Sequence, residues 1–486
     1  MSQNTDIMQV CLLNDSFPPV IDGVANTVMN YAQILTDKGF AKVQVATPRY
    51  PEADYSGYPY EVVPYKSFSI GNMVEGYRAG NPLDIPAISE LAGASPQLIH
   101  SHCPVVSTMV ARSLRMRTKA PIIFTYHTKF DVDIAHAVRN SFIRKEATRV
   151  LVDNIEACDE VWTVSHGAGE NLCSLGFNGE YRVVENGVDF PKGQADQEQV
   201  REAVKDYDLP EGVPVYLFVG RLMNYKGLPL IVDALGIMKE QGADFRMIFI
   251  GGGGDEESLK EKVEELGLQD RVIFTGPIRD RQLLRAWNTR ADLFLFPSTY
   301  DTNGIVVREA AACGLASVLV RGSCAAEGIT EGRNGFFIDE NARSLAGLLL
   351  SLGNDIGRMR DAGQHAMDEI YISWEQSVTH AYDLYQEVLE NKAAGKYQTK
   401  LQQRMQDAKE VIHDSDKRRR QRLKRTEEHW KELLTGLGRM QGSFVESMTD
   451  NMQQLKTGIK GVGSEAGKIG RNAWDYAREI LYGDEE

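Results

Sequence analysis

The chain has 486 residues, 42% hydrophobic and 25% charged, a globular composition that excludes general disorder and indicates two or three domains. No apolar run approaches the roughly 20 residues of a membrane-spanning helix, and the first residues lack the basic start and apolar length of a signal peptide, so we expect a cytoplasmic protein. The net charge is −14, and an acidic surface repels nucleic acids and anionic membranes.

Strand-like apolar runs alternate with helix-like segments through the first 390 residues. The predicted strands of the first half are 8–14, 43–48, 97–102, 121–128, 160–165 and 181–187, with a helix at 23–39. After a polar connection at 191–214, the predicted strands are 213–222, 246–254, 271–276, 291–298 and 316–322, with a closing helix at 373–391. This alternation predicts parallel sheets covered by helices on both faces. The interruption favours two doubly wound α/β domains over one large sheet.

The last segment, 391–486, has a different composition. It carries 19 Lys and Arg against 15 Asp and Glu, so it is net +4 while the first 390 residues carry −18. Seven of the nine residues of 417–425 are basic, and an apolar stripe follows at helical spacing: Met440, Phe444, Met448, Met452, Leu455, Ile459 and Val462. We predict a helical tail. It suits either an anionic membrane surface or a coiled coil that forms a homodimer, and we predict no nucleic-acid partner because few aromatic residues interleave the basic ones.

Two turns that follow predicted strands suit an anionic ligand. Gly23 begins a helix, whose N-terminal amides attract negative charge. Arg221 lies at the end of strand 213–222 and Lys226 follows it, at the sheet edge where parallel sheets bind ligands, and two cations there suit a diphosphate. The alternatives are a purely structural turn at Gly23 and a solvated basic loop at 221–226.

Asp301 and Glu309 lie on either side of a predicted helix start at Gly304. Glu309, about one turn inside that helix, suits paired hydroxyls such as those of a ribose, and Asp301 faces whatever lies ahead of the helix. The Gly304 and Ile305 amides suit a phosphate or sugar oxygen. Alternatively, Glu309 is an ordinary acid favoured by the helix dipole.

His127 ends a predicted strand, where an imidazole can orient a sugar or a leaving group, although a lone histidine is more often a hydrogen-bonded core residue. Asp131 and Asp133 form an Asp-x-Asp pair of a kind common by chance, and the six cysteines have no paired spacing. We therefore predict neither a metal site nor a disulfide framework.

An ordered set of motifs resembles the family 4 glycosyltransferases, particularly the bacterial diacylglycerol glucosyltransferase branch. The set comprises FPPVIDGVANTV, HSHCPVVSTMVARSL, TYHT, VSHGAGENL, VENGVDF, GRLMNYKG, VIFTG and FPSTYDTNGIVVREAAACGLASVLV, and it spans about residues 5 to 390. The resemblance implies the GT-B fold, with a Rossmann-like acceptor domain at 1–192 and a Rossmann-like nucleotide-sugar donor domain at 193–372. A helix at 373–390, carrying Trp374, would return to the first domain and precede the tail at 391–486.

The resemblance also implies a retaining hexosyltransferase that needs no metal or cofactor besides the nucleotide sugar. Gly23 would approach the donor diphosphate, Arg221 and Lys226 would neutralise it, and Glu309 would bind the ribose. Further implied donor-binding residues are Gly220, then Gly276, Pro277 and Ile278 near the base, and Asn303, Gly304, Ile305 and Val306 near the hexose.

Asp301 and His127 would contact the transferred hexose, His127 beside its 6-hydroxyl. The family's Glu-x7-Glu appears here as Asp301-x7-Glu309, so the first acid is one methylene shorter and the identity of the hexose, and even activity, is left open. We predict transfer from UDP-glucose to a lipid such as 1,2-diacylglycerol, giving an α-glycoside at the inner face of the cell membrane. The alternatives are a soluble or polysaccharide acceptor, or an inactive GT-B scaffold.

Overall fold

The computed structural model describes residues 7–69, 77–130 and 141–397, without the side chains of residues 142 and 143. The chain divides into two compact units, 1–390 and 391–486, and only residues 391–397 of the second unit are described. The predictions for Asp131 and Asp133, and for the basic and apolar stretches of the tail, therefore fall outside the described residues.

The first half of the chain builds a parallel sheet. Its elements in order are β1 (Met8–Leu13), α1 (Gly23–Asp37), β2 (Ala41–Pro48), β3 (Glu61–Tyr65), β4 (Ser67–Ser69), β5 (Arg78–Gly80), α2 (Ile85–Gly93), β6 (Leu98–Ser101), α3 (Val106–Thr118), β7 (Ile122–Tyr126), α4 (Ser141–Glu156), β8 (Glu160–Thr163), α5 (His166–Ser174) and β9 (Arg182–Val183). Seven strands pair in the order β3-β2-β1-β6-β7-β8-β9, and β4 and β5 form a separate antiparallel pair.

The second half builds another parallel sheet. Its elements are α6 (Gln197–Val204), β10 (Val215–Val219), α7 (Leu228–Glu240), β11 (Arg246–Ile250), α8 (Glu256–Glu265), β12 (Val272–Gly276), α9 (Arg281–Arg290), β13 (Leu293–Phe296), α10 (Ile305–Ala312), β14 (Ser317–Val320), β15 (Gly335–Ile338), α11 (Ala342–Leu352), α12 (Ile356–Glu369) and α13 (Trp374–Ala393). Six strands pair in the order β12-β11-β10-β13-β14-β15. The prediction of two doubly wound α/β halves is confirmed.

The burial of the inner strands explains why their apolar runs could be recognised in the sequence. Every residue of β7, β11 and β13 is buried, as expected for parallel strands that helices cover on both faces. Each half has its own hydrophobic core. Among the described helices, none combines the length and apolar composition required to cross a membrane.

The structure contains strands that the sequence analysis missed. β3 (EVVPY) carries Pro64, which weakens a strand pattern, and it lies at the sheet edge, where proline is tolerated. β15 (GFFI) is too short to give a periodic signal. Conversely, predicted strand 181–187 shortens to the two residues of β9, because the residues that follow leave the first sheet.

Two chain segments run side by side between the sheets. The Val188 amide donates to the Ile372 carbonyl at 3.0 Å, and Val188 pairs with Ser373 in a parallel bridge. Gly187 lies against the start of α13, because a Cβ at residue 187 would be 2.3 Å from the Trp374 nitrogen. The backbone at residue 187 is therefore in close contact with the first residue of α13.

α13 packs against the first half of the chain. The Tyr385 hydroxyl hydrogen-bonds with Nδ1 of His100 at 2.6 Å, and the Trp374 ring lies 6.5 Å from that of Tyr31. Phe40 stacks on Tyr382 at 4.3 Å. These contacts tie the end of the second half to the first sheet.

Candidate functional site

Lys226 follows β10 in a single turn of 3₁₀ helix, Asn224–Lys226, that Gly227 closes at a φ of 77°. Glycine is required there because a Cβ at residue 227 would lie 2.6 Å from the Pro297 carbonyl oxygen. Three aromatic rings surround the Lys226 ammonium at 5.7–5.8 Å: Tyr225, Phe296 and Tyr300. With its side chain only 11% exposed, this cation is held in place by aromatic contacts.

Asp301 is the counter-ion of Lys226. One carboxylate oxygen accepts from Nζ of Lys226, and the other accepts from the Ser298 hydroxyl at 2.5 Å. The structure therefore brings into contact the residues that we predicted for the diphosphate and for the hexose. An anionic ligand of Lys226 would have to share the ammonium with Asp301.

Glu309 lies on α10 with its side chain 9% exposed. Its carboxylate accepts from Nη2 of Arg281 at 2.5 Å. The Arg281 guanidinium stacks 4.3 Å above the Phe190 ring and lies 3.7 Å from the Asp189 carboxylate. Burial raises the pKa of Glu309, and Arg281 opposes that shift. The sequence analysis missed Arg281 because a cation at a helix start has no signal that distinguishes it from a surface residue.

The ends of β10, β11 and β12 lie side by side at one edge of the second sheet. The Gly220 amide donates to the Ile250 carbonyl at 3.0 Å, and the Gly251 amide donates to the Gly276 carbonyl at 3.1 Å. The two predicted glycine positions, 220 and 276, therefore share this edge, and Pro277 and Ile278 follow directly. Gly251 has a φ of 143°, and a Cβ there would lie 1.9 Å from the Gly220 oxygen.

The start of α1 is already capped by its own sequence. Oδ1 of Asp22 accepts from the Val24 and Ala25 amides at 2.9 and 2.7 Å, and Oδ2 accepts from the Tyr77 hydroxyl at 2.9 Å. This pairing reduces the attraction of the helix start for an anion and leaves the Gly23 amide as the predicted contact. Sequence reasoning had not assigned Asp22 this capping role.

Arg221 reaches the same region from the second half. It is exposed. Burial raises the pKa of Tyr77, the Asp22 carboxylate adds to that shift, and Arg221 opposes it. Arg221 and Asp22, which come from different halves of the chain, therefore have opposite effects on the pKa of the same phenol.

Gly23→Ala is expected to leave the melting temperature unchanged, because a Cβ at residue 23 meets no atom within 4 Å. If a donor diphosphate lies against this backbone, the added methyl raises the donor KM by roughly tenfold, equivalent to about 1.4 kcal/mol. Gly347→Ala, another position where a Cβ meets nothing within 4 Å, is the matched control. An unchanged donor KM in Gly23→Ala contradicts the assignment of Gly23.

His127 follows β7 and is 8% exposed. Its Nε2 atom shares a hydrogen bond of 2.9 Å with Nδ1 of His102, a partner that the sequence analysis did not foresee. Burial lowers the pKa of His127 to about 3, against an opposing effect of Asp22. The imidazole is therefore neutral at physiological pH.

The loop between β13 and α10, which contains Asp301, bonds to the first half of the chain. Two bonds are donated by the first half: Nζ of Lys129 donates to the Thr299 carbonyl at 2.8 Å, and Oγ of Ser165 donates to the Thr302 carbonyl at 2.5 Å. Two are donated by the loop: Oγ1 of Thr302 donates to the His127 carbonyl, and Nδ2 of Asn303 donates to the Val164 carbonyl at 2.6 Å. The loop that carries Asp301 thus contacts the backbone of His127 at the junction of the two halves, and the Asn303 amide serves this junction.

Helix α10 begins where the sequence predicts. Gly304 is its N-cap with a φ of 60°, and Ile305 and Val306 supply the first turn. A Cβ at residue 304 would lie 2.9 Å from that of Ala325. Among the residues that the structure describes, no three His, Cys, Asp or Glu side chains cluster as a metal site would require.

Two family models match the chain. The model described as "Glycosyltransferase Family 4" matches residues 21–191, and the model described as "Glycosyl transferases group 1" matches residues 199–367. The two matches correspond to the two halves that form the separate sheets.

Curated relatives are similar over about two thirds of the chain or slightly less. The alpha-monoglucosyldiacylglycerol synthase of Streptococcus pneumoniae is 23% identical, covering 63% of this chain and 70% of the relative. The sulfoquinovosyl transferase SQD2 of Arabidopsis thaliana is 27% identical, covering 66% and 61%. A D-inositol 3-phosphate glycosyltransferase of Corynebacterium glutamicum is 26% identical, covering 60% and 73%.

Solved structures share the fold. HepE of Anabaena in complex with UDP superposes with a TM-score of 0.62 at 19% identity, covering 79% of this chain and 100% of the other. A sucrose-phosphate synthase of Thermosynechococcus elongatus superposes with a TM-score of 0.65 at 20% identity, covering 79% and 99%. At these identities the likeness concerns the arrangement of the two sheets and their helices.

Proposed function

Because the chain belongs to the family 4 glycosyltransferases and has their GT-B fold, we propose that it moves a hexose from a nucleoside diphosphate sugar to a lipid acceptor. The preferred donor is UDP-glucose and the preferred acceptor 1,2-diacylglycerol, giving an α-glycoside. Residues 1–192 serve the acceptor, 193–372 bind the donor, and 373–390 return to the first domain.

One observation supports this proposal above all. Lys226, Asp301 and His127 come from separate segments, yet Lys226 contacts Asp301 and the Asp301 loop bonds to the His127 carbonyl. A cation suited to a leaving diphosphate therefore stands beside an acid suited to sugar hydroxyls, at the junction of the two halves.

In the proposed mechanism, Lys226 and Arg221 stabilise the negative charge that develops on the departing β-phosphate. Preorganised charges of this kind contribute a few kcal/mol each, or about 10²–10³ in rate. The leaving phosphate accepts the proton of the attacking hydroxyl on the same face of the sugar. This route retains the anomeric configuration and requires neither a metal nor a covalent nucleophile.

The lipid acceptor is supported by the name of the Streptococcus relative, a glucosyldiacylglycerol synthase. The Corynebacterium relative is named for an inositol phosphate acceptor, so a soluble acceptor is the alternative within the same enzyme class. A second class, an inactive GT-B scaffold, would apply if Asp301 kept the Lys226 ammonium from a donor, since the two side chains form an ion pair.

The deciding experiment is transfer from labelled UDP-glucose in mixed micelles with and without diacylglycerol, followed by organic extraction. Label in the organic phase only with diacylglycerol is the expected result. Release of UDP without label in the organic phase would indicate a soluble acceptor in place of the lipid. Binding of nucleotide sugar without release or transfer would favour the scaffold.

Asp301→Glu is expected to change sugar preference. The added methylene moves the carboxylate relative to Lys226 and Ser298, and a hydrogen bond to a charged group is worth about 1.5–3 kcal/mol, so kcat/KM for UDP-glucose relative to UDP-galactose should change by about tenfold or more. Asp301→Asn, which keeps the size and removes the charge, is the control. If Asp301→Glu leaves the ratio of the two kcat/KM values unchanged, this residue does not contact the hexose.

Membrane association is proposed from composition alone, at about 1 kcal/mol per basic residue near an anionic surface. Replacing the seven basic residues of 417–425 with glutamine in the full chain is expected to lower partitioning onto vesicles rich in phosphatidylglycerol. UDP release by the same variant should stay unchanged. Equal partitioning of both proteins would favour the coiled-coil tail.

A further inference from the structure

Three buried histidines stand together beside the junction. His100 and His102 lie at the end of β6 with ring centroids 4.0 Å apart, and the His127 ring stacks on that of His102 at 5.2 Å. Burial lowers the pKa of all three. Each ring is therefore neutral at physiological pH and carries one proton, on either Nδ1 or Nε2.

The hydrogen bond between Nδ1 of His102 and Nε2 of His127 needs one donor. If His127 donates, the single proton of His102 must sit on Nε2, which is buried and has no partner among the described residues. If His102 donates, its Nε2 is only an unused lone pair. Buried N–H groups without an acceptor are rarer than unused acceptors, so the second arrangement is favoured.

We propose that His102 is a positioning residue that holds His127 in its Nδ1–H tautomer, so that His127 donates a hydrogen bond to an oxygen of the transferred hexose. The sugar contact rests on the proposed function, whereas the tautomer does not. In this form His127 presents a donor, and it cannot act as a base toward the substrate.

The surroundings of the ring support this assignment. Nδ1 of His127 has no hydrogen-bond partner among the described residues and is not enclosed as Nε2 of His102 is. The Asp22 carboxylate opposes the effect of burial on the pKa of His127. The backbone of the same residue is held from the second half of the chain, where the Thr302 hydroxyl donates to the His127 carbonyl.

The neighbours of His102 prevent it from turning to a different arrangement. The Tyr31 ring lies edge-on at 5.5 Å. His100 is itself held by Tyr385 at Nδ1, 2.6 Å away, and by Thr125 at Nε2, 2.7 Å away. The His102 ring is therefore packed between an aromatic edge and a second imidazole that is bonded at both nitrogens.

The test is a long-range proton–nitrogen NMR spectrum of the full chain labelled with ¹⁵N-histidine, in which the two neutral tautomers give different patterns. His127 is expected as Nδ1–H in the wild type. His102→Phe removes the donor and leaves only the intrinsic preference of a neutral imidazole for Nε2–H, so the spectrum should show a mixture of both His127 tautomers. His102→Asn, whose amide nitrogen takes the place of Nδ1–H, should restore the wild-type pattern. His365→Asn, at a partly exposed position on α12, is the matched control and should leave His127 unchanged.

Kinetics and titration test the sugar contact separately. His102→Phe should lower kcat roughly tenfold, the worth of about one hydrogen bond, with little change in UDP affinity, and His102→Asn should recover most of the loss. UDP-glucose should shift the Nδ1–H resonance of His127 more than UDP does.

Two results would overturn the inference: His127 as Nε2–H in the wild type, or an unchanged His127 tautomer in a folded His102→Phe protein. Equal shifts of the His127 Nδ1–H resonance with UDP and with UDP-glucose would mean that His127 does not contact the sugar. If the tautomer holds but no acceptor assay yields transfer, the proposed function fails and the role of His102 stands.

Discussion

Lys226→Ala is expected to lower kcat by about 10²–10³, the cost of removing one preorganised charge from a transition state. The reason is geometric: the Gly227 turn and three aromatic rings hold the ammonium in place before any ligand arrives. Turnover with saturating donor is the measurement, and the melting temperature shows whether the fold is intact.

The matched control for this prediction is Lys262→Ala. Lys262 also belongs to the second half and also pairs with an aspartate, Asp233, at 2.6 Å. Its loss should leave kcat unchanged, because a partly exposed ion pair away from the site contributes little. Wild-type turnover in Lys226→Ala would mean that Lys226 does not stabilise the diphosphate. It would also weaken the proposal that the site lies at the junction of the two halves.

Gly187→Ala is expected to be the most destabilising of the single substitutions considered. The added Cβ would lie 2.3 Å from the Trp374 nitrogen and 2.4 Å from its Cα. Because the obstacle is backbone, no side-chain rotation relieves it, and overpacking of this kind costs about 1–3 kcal/mol or more. The start of α13 must then move away from the segment that carries Val188.

The measurement is a lower melting temperature with faster proteolysis near residue 374, and a loss of activity that follows the displacement of α13. Gly347→Ala is again the comparison, since it adds the same methyl to an open helical position. Equal melting temperatures for the two variants would mean that the close contact at residue 187 does not determine where α13 begins.

The junction of the two halves depends on more than the Asp301 loop. The Glu327 carboxylate accepts from the amides of His166 and Gly167 at 2.7 and 2.6 Å, at the start of α5. Arg308 pairs with Glu185 and donates to the Ile370 carbonyl at 2.9 Å. A charged group at a helix N-terminus and a buried guanidinium are strong contacts, so the two halves are held together by more than the hydrogen bonds of the Asp301 loop.

The sequence by itself determined the two parallel sheets, the helix that begins at Gly304 and the glycines and cations that follow the strands. These features are local. Apolar runs such as VYLFV in β10 and RMIFI in β11 record burial on both faces. The turns after them need particular backbone conformations that glycine alone adopts readily.

Only the tertiary structure decided which of these residues meet. Lys226 and Asp301 are 75 residues apart, Arg281 and Glu309 are 28 apart, and His102 and His127 are 25 apart. Each pairing depends on strand order and on how the Asp301 loop reaches the end of β7, which no single segment encodes. A hydrogen bond needs its atoms within about 3 Å, whereas sequence patterns locate a side chain only to an element and a face. The edge of the sheet was therefore predictable, and the partners at that edge were not.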